Sequence, residues 1–167
     1  MPLVCEVTSA NAADAAALAE LRNAAADRLS ERHGRGTWSG RCTERGVRFD
    51  MTRATVFVAR HGPDIVGTMA LGARKPWSID VAYFTPVARP LYLTGMAVHP
   101  DYQRQGMGRA MIEESLRIAR DWPADAIRLD AFDAPAGAGP FYERCGFRER
   151  GRRTYRTSPL VYYERVL

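Results

Sequence analysis

The segment Thr94-Gly-Met-Ala-Val-His-Pro-Asp-Tyr-Gln-Arg-Gln-Gly-Met-Gly-Arg-Ala110 carries the most chemically suggestive spacing in this chain of 167 residues. An apolar run gives way to a polar stretch, and two glycines then open an amphipathic pattern. Such a junction offers successive backbone N–H groups and the positive end of a helix to an anion, above all a phosphate. Gly106 and Gly108 remove the Cβ that would keep the anion at a distance, and Arg104 and Arg109 add charge-assisted donors. Taken alone, the glycines describe an ordinary βα turn equally well.

Spacing tests two familiar phosphate motifs. A Walker A loop requires Gly-Lys-Ser/Thr, whereas Gly108 is followed by Arg109-Ala110. A dinucleotide fingerprint is nearer, with Gly106 and Gly108 in place and Asp130 about 20 residues on. Met111 stands where its third small residue belongs, and the 62 residues from Gly106 onward are too few for a doubly wound nucleotide domain. Both motifs are set aside.

The elements that must position this segment follow from periodicity. Leu3 to Thr8 alternates apolar and polar residues and reads as a strand. Ser9 and Asn11 are candidate caps for a helix bearing Leu18, Leu21, Ala25 and Leu29, with Gly34 as its stop. Residues 34–53 read as a loop with one short helix over Thr43 to Phe49. Residues 54–60 and 65–71 form a hairpin around His61-Gly-Pro-Asp64, and 72–89 is an irregular connection. Residues 91–98 form a strand and Gly106 to Asp121 a helix whose apolar face is Met111, Ile112, Ser115, Leu116 and Ala119. Ala126 to Ala131 is a short strand. A helix then carries Ala138, Phe141, Tyr142 and Cys145 at i, i+3, i+4, i+7 and stops at Gly146; two strands close the chain. The order β-α-α-β-β-β-α-β-α-β-β describes an α/β domain over 1–167 with a mixed sheet.

Three motifs in that order resemble one family. Gln103-Arg-Gln-Gly-Met-Gly108 is similar to the Q/R-x-x-G-x-G/A signature of the Gcn5-related N-acetyltransferases, the GNAT superfamily. Met96-Ala-Val-His-Pro100 resembles the strand-to-loop segment before it. Ala138-Gly-Pro-Phe-Tyr-Glu-Arg-Cys-Gly-Phe147 resembles the family's A-x-x-F-Y-E-x-x-G-F helix and exit. The resemblance is closest from Leu91 to Glu149.

The resemblance implies a mostly antiparallel sheet in which two parallel strands splay apart to admit acetyl-CoA as co-substrate, with flanking helices. Carried over by position, Gln103, Arg104, Gln105, Gly106, Met107, Gly108 and Arg109 would hold its pyrophosphate, mainly through main-chain N–H groups. Met96, Ala97 and Val98 would offer backbone partners to the pantetheine arm. The implied reaction moves the acetyl group directly to a primary amine of an unidentified acceptor and needs no metal. It requires a proton for the departing thiolate, since a thiol has a pKa near about 8.5. Tyr142 matches the family's acid; its helical spacing with Phe141 and Cys145 also suits a core residue. Asp130 matches the base of some peptide-acetylating members and lies on the strand face opposite Leu129, where a surface or helix-capping carboxylate would fit equally well. Asp80 and a water relay are the other candidates for the base. An asparagine usual in the family seven residues before the tyrosine is replaced by Pro135, which suits a first helical turn capped by Asp133. Homodimers are familiar in the family, and a CoA-binding sensor without transfer, or a transferase of another acyl group, shares the same motifs.

Trp38, Trp77, Tyr83 and Phe84 fall in the two irregular connections, where either a substrate pocket or a covered core would use them. His33, His61 and His99 sit in turns and read as solvated. The arginines Arg144, Arg148, Arg150, Arg152, Arg153 and Arg156 are broken by Glu143 and Glu149 and read as a solvated face.

Composition narrows the partners. The 24 cations against 19 anions give a net charge of +5, with Lys75 the only lysine. No block of five like charges occurs, which argues against a nucleic-acid arm and suits a few bound phosphates. Cys5, Cys42 and Cys145 are odd in number and lack a CxxC pairing, so neither a zinc site nor a disulfide framework is suggested. With no apolar run near about 18 residues and no basic leader, the expected setting is the cytoplasm, away from membranes.

Overall fold

Val56 and Val58 are buried against one layer of helices and Phe57 and Ala59 against another, so a single strand already reports a sheet covered on both faces. In the computed structural model, which describes residues 4–167, seven strands form that sheet: β1 (Glu6–Ser9), β2 (Thr55–His61), β3 (Asp64–Gly72), β4 (Pro90–Val98), β5 (Ala126–Phe132), β6 (Arg148–Tyr155) and β7 (Ser158–Val166). Their spatial order is β1-β2-β3-β4-β5-β7-β6. Every neighbouring pair is antiparallel except β4 and β5, which are parallel. The expected mostly antiparallel α/β architecture is what forms.

Helices α1 (Ala15–His33) and α2 (Glu44–Arg53) cover one face, where Ala15, Leu18, Ala19 and Val47 meet Val56, Val58 and Ala70. Helix α3 (Met107–Asp121) covers the other through Met111, Ile112, Leu116 and Ala119, the stripe that its periodicity marks out. The short α4 (Gly139–Arg144) lies on the same side and adds Tyr142 and Cys145 to that core.

Local chemistry sets most boundaries. Asn11 caps a single turn of 3₁₀ helix over Ala12–Asp14 that leads into α1, and Gly34 ends α1 with φ +77°. Thr43 accepts from the Gly46 N–H to open α2. The hairpin closes more tightly than a four-residue turn: His61 pairs with Asp64, leaving Gly62-Pro63 as the loop, and Gly62 takes the positive φ its first position requires.

Three boundaries differ from the sequence expectations. β1 runs over Glu6–Ser9, not Leu3 to Thr8; Leu3 lies outside the described residues, and Ser9 continues the pairing with Phe57. α2 extends to Arg53 because the Arg22 guanidinium on α1 holds Asp50 at 2.8 Å. α4 starts at Gly139, so Pro140 and not Pro135 occupies its first turn. Asp133 does not cap it; its carboxylate pairs with Arg152 at 2.9 Å, and Ala138 is the capping residue.

Candidate active site

β4 and β5 pair over only three positions, Pro90 with Ala126, Leu91 with Ile127 and Tyr92 with Arg128. Beyond Tyr92 the strands part. Gly95, with φ +59°, sits in a bulge where the register of β4 shifts against β3, and this turns β4 away from β5. The gap is the main cavity of the site, about 420 Å³, walled by Leu93 to Met96 on one side and Leu129 to Phe132 on the other. Parting two strands in mid-sheet joins the two faces. Tyr142 reaches the cavity from the α3–α4 side, while Ser78 and Asp130 reach it from the α1–α2 side.

Tyr142 is buried, with Phe141, Phe147 and Tyr163 around its ring. The core reading holds, since the ring belongs to the core, and the residue also lines the cavity. Burial pushes its phenol pKa well above the ordinary range, reinforced by the nearby Asp130 and Cys145. Its proton therefore stays in place at any working pH. Asp130 also titrates above the usual carboxylate range because burial disfavours its charge, partly offset by the Ser78 hydroxyl, which donates to it at 2.5 Å. Asp80 stands apart. It caps the turn Val81–Tyr83 and faces Arg153 at 3.4 Å, and it does not line the cavity.

At the far end of β4 the chain crosses a turn over Pro100–Tyr102 and enters α3. Among the described residues, the main-chain N–H groups of Arg104 through Arg109 have no acceptor; the first helical bond runs from Ala110 to Gly106. A helix start leaves such donors unmet, and here the loop before it adds more. Gly106 adopts φ +82°, and Arg104 holds φ 60° without being glycine. Gly108 serves a different need, since a Cβ there would lie 3.1 Å from the ring of Phe141. Small size at Gly108 thus lets α4 close onto α3 beside Met96.

Among the residues carried over by position, side chains and backbone divide the work. The Gln103 amide donates to the Val98 carbonyl at 3.0 Å and Gln105 reaches the Asp101 carbonyl, so both brace the loop. Met107 turns its side chain into the core. Arg104 and Arg109 are solvent-facing, with Arg109 beside Glu113 at 3.4 Å. Met96, half-buried, packs against the core.

Ser78 escaped sequence reading, because nothing in the irregular stretch before β4 ties it to a residue 52 positions away. The aromatic residues of the two connections separate cleanly. Phe84 and Tyr83 pack on Tyr162, and Trp38 packs on Phe132, whereas Trp77 stays exposed at the mouth of a second cavity. The arginines of β6, Arg148, Arg150, Arg152 and Arg153, are all exposed, and Arg152 pairs with Asp133 and Glu149 as a solvated face would. No helix among the described residues is long and apolar enough to cross a membrane.

Known proteins share this arrangement. Residues 52–149 match the model of the acetyltransferase (GNAT) domain. A stretch of 60 residues is 32% identical to glucosamine 6-phosphate N-acetyltransferase of Schizosaccharomyces pombe, covering 36% of this chain and 51% of that protein. Over 64 residues the chain is 39% identical to the ribosomal protein bS18-alanine N-acetyltransferase of Escherichia coli, 38% of this chain and 43% of that one. The matches thus span about half the length of these curated relatives. The yncA structure from Salmonella typhimurium, solved with its cofactor acetyl-CoA, superposes with a TM-score of 0.69 at 19% identity, covering 98% of this chain and 94% of that one. The matched span runs from α2 to the start of β6 and so contains the parted strands, the glycine-rich helix start and Tyr142: the chain belongs to the GNAT acetyltransferase family.

Proposed function

We propose that the chain is one catalytic domain, an acetyl-CoA-dependent N-acetyltransferase that moves the acetyl group directly to a primary amine. The observation that supports this most is the convergence of Tyr142 and Asp130, from opposite faces of the sheet, on the gap between β4 and β5. The run of free N–H groups from Arg104 to Arg109 fits a pyrophosphate, and the flank of β4 over Met96, Ala97 and Val98, unpaired by β5 although Gln103 holds the Val98 carbonyl, fits an amide-rich arm. Acetyl-CoA would supply the thioester.

The residues then divide the proton work. Asp130, aligned by Ser78 and made more basic by burial, takes a proton from the acceptor amine, directly or through water. The neutral amine attacks the thioester carbonyl; the new N–C bond forms as the C–S bond breaks. Tyr142 offers its hydroxyl to the developing thiolate. Its raised pKa makes it first a hydrogen-bond donor to that charge; when its proton passes to the thiolate, the proton shed by the new amide nitrogen returns through water to Tyr142. Arg104 and Arg109 add positive charge around the helix start, where each contact with an exposed anion is worth about 0.3–1 kcal/mol.

Titrating acetyl-CoA against the protein tests the binding half of this reading through stoichiometric binding and a rise in melting temperature. Thiol release with a panel of amines tests transfer. Binding without transfer would leave a CoA-binding sensor, and no binding would dismiss every CoA-based reading.

A further inference from the structure

A second cavity of about 300 Å³ lies on the α1–α2 face and shares Pro76, Ser78, Thr94 and Gly95 with the first. Resting on the transferase reading above, we propose that this cavity receives the acceptor and that the acceptor is a small amine carrying an anionic group, a carboxylate or a phosphate ester.

The charges of the wall support this. Arg22, Arg53 and Arg74 face the cavity against a single carboxylate, Asp50. That carboxylate is already engaged by Arg22 at 2.8 Å, while Arg22 Nε is buried with no hydrogen-bond partner. The exposed edge of the same guanidinium lines the cavity and adds to its positive wall. Neither Arg53 nor Arg74 forms an ion pair among the described residues. Arg53 instead lies over Trp77, its guanidinium carbon 4.5 Å from the ring centroid, and 5.7 Å from that of Phe49. Stacking holds the planar fork in place without consuming its N–H donors, which suits bidentate capture of an oxyanion.

The position fits as well. Arg22 comes close enough to the β4 bulge that a Cβ on Gly95 would lie 3.0 Å from its Nη2. The shared wall at Thr94 and Gly95, with Ser78 and Asp130 behind it, is where an amine would meet a thioester in the gap. An acceptor anchored by its anion near Arg53 and Arg74 would thus present its amine at that wall. The size of the cavity favours a small molecule over a folded partner.

Matched pairs of amines test the proposal: 4-aminobutyrate with its amide, phosphoethanolamine with ethanolamine, and phenylalanine with phenylalaninamide. With the intact chain and acetyl-CoA, the anionic member of at least one pair should show a KM about tenfold lower. Arg53→Gln and Arg74→Gln should each raise that KM by about the same factor while acetyl-CoA affinity and melting temperature match the parent. Arg53→Glu should turn the preference toward the neutral member. Equal KM values within every pair, a preference that survives both glutamine substitutions, or acetylation of an acidic peptide ahead of every small amine would each overturn the proposal while leaving the transferase reading intact. Failure to bind acetyl-CoA would instead remove the reading on which it rests.

Discussion

Ser78 Oγ donates to the Asp130 carboxylate at 2.5 Å, so the irregular connection between β3 and β4 grips β5 across the open end of the sheet. The contact fixes the direction of the carboxylate lone pairs facing the cavity and moderates the pKa rise that burial imposes. A loop of little regular structure thereby becomes part of the wall of the gap between β4 and β5.

Replacing Tyr142 by Phe keeps the ring and its three aromatic neighbours and removes only the hydroxyl, which makes no hydrogen bond among the described residues. Steady-state assays of thiol release should find kcat reduced by about a hundredfold or more. Acetyl-CoA affinity and melting temperature should stay at the parent values. Unchanged turnover would free Tyr142 of its assigned role.

Asp130→Asn should separate stability from activity through pH. The folded-state pKa of Asp130 is raised, so the native chain holds this proton to higher pH than the unfolded chain does. Its contribution to stability is thus full below the unfolded value and is lost as pH rises through the folded value. Near pH 7 the Asn variant should melt at or above the parent temperature, and the difference should vanish in acid. Turnover should fall, and the acidic limb of the kcat/KM profile, lying above the ordinary carboxylate range, should disappear. A retained limb would assign the proton to another group.

Gly106→Ala isolates backbone conformation at the helix start. A Cβ there meets nothing within 4 Å, so the cost comes from φ +82°, about 1–2 kcal/mol for an L-residue. The backbone must either bear that cost or rotate its N–H groups away from their common focus. Calorimetric titration should find acetyl-CoA affinity about tenfold weaker, with little effect on turnover at saturation. Equal affinity would show that the glycine is not needed for the anion.

Arg128 and Glu164 form a buried ion pair at 3.1 Å, and Arg128 also donates to the Tyr92 hydroxyl and the Thr85 carbonyl. Arg128→Met should destabilise the protein by about 3–5 kcal/mol in denaturant titrations, because it leaves the buried Glu164 carboxylate with only the Thr85 N–H at 3.2 Å and the more distant Arg150 at 3.9 Å. Adding Glu164→Leu should recover most of that loss. A double variant as unstable as the single one would mean that the bonds to Tyr92 and Thr85, not the charge pair, carry the effect.

Where a signal is local, the chain announces it. The amphipathic stripe of α3, the alternation in β2 and β3, and the glycines that end α1 and α4 all depend on neighbours a few positions away. The glycine-rich helix start was legible for the same reason, although Met107 there proves to be a core side chain. The length of α2 was not legible, because Asp50 and Thr52 are weak helix formers beside Met51 and Arg53, and the turn is held from outside by Arg22. Ser78, Arg22, Trp77 and Asp50 come together only through the tertiary fold, from segments with no shared period. For Asp133 the competing partner was Arg152, across the sheet, and no helical pattern could have named it.

The two sides of the open gap are also contiguous pieces of chain. β1 to β4 are neighbours in sequence order from Glu6 to Val98, and β5 to β7 complete the sheet between Ala126 and Val166. Each leaf can assemble from pairings of its own, and the short β4–β5 seam joins them within the sheet. Amide hydrogen exchange should find this seam opening at lower free energy than the hairpin of β2 and β3. A molecule lying in the gap would touch both leaves and work as a clasp, so its affinity and the resistance of the seam to opening are the same free energy read from two directions.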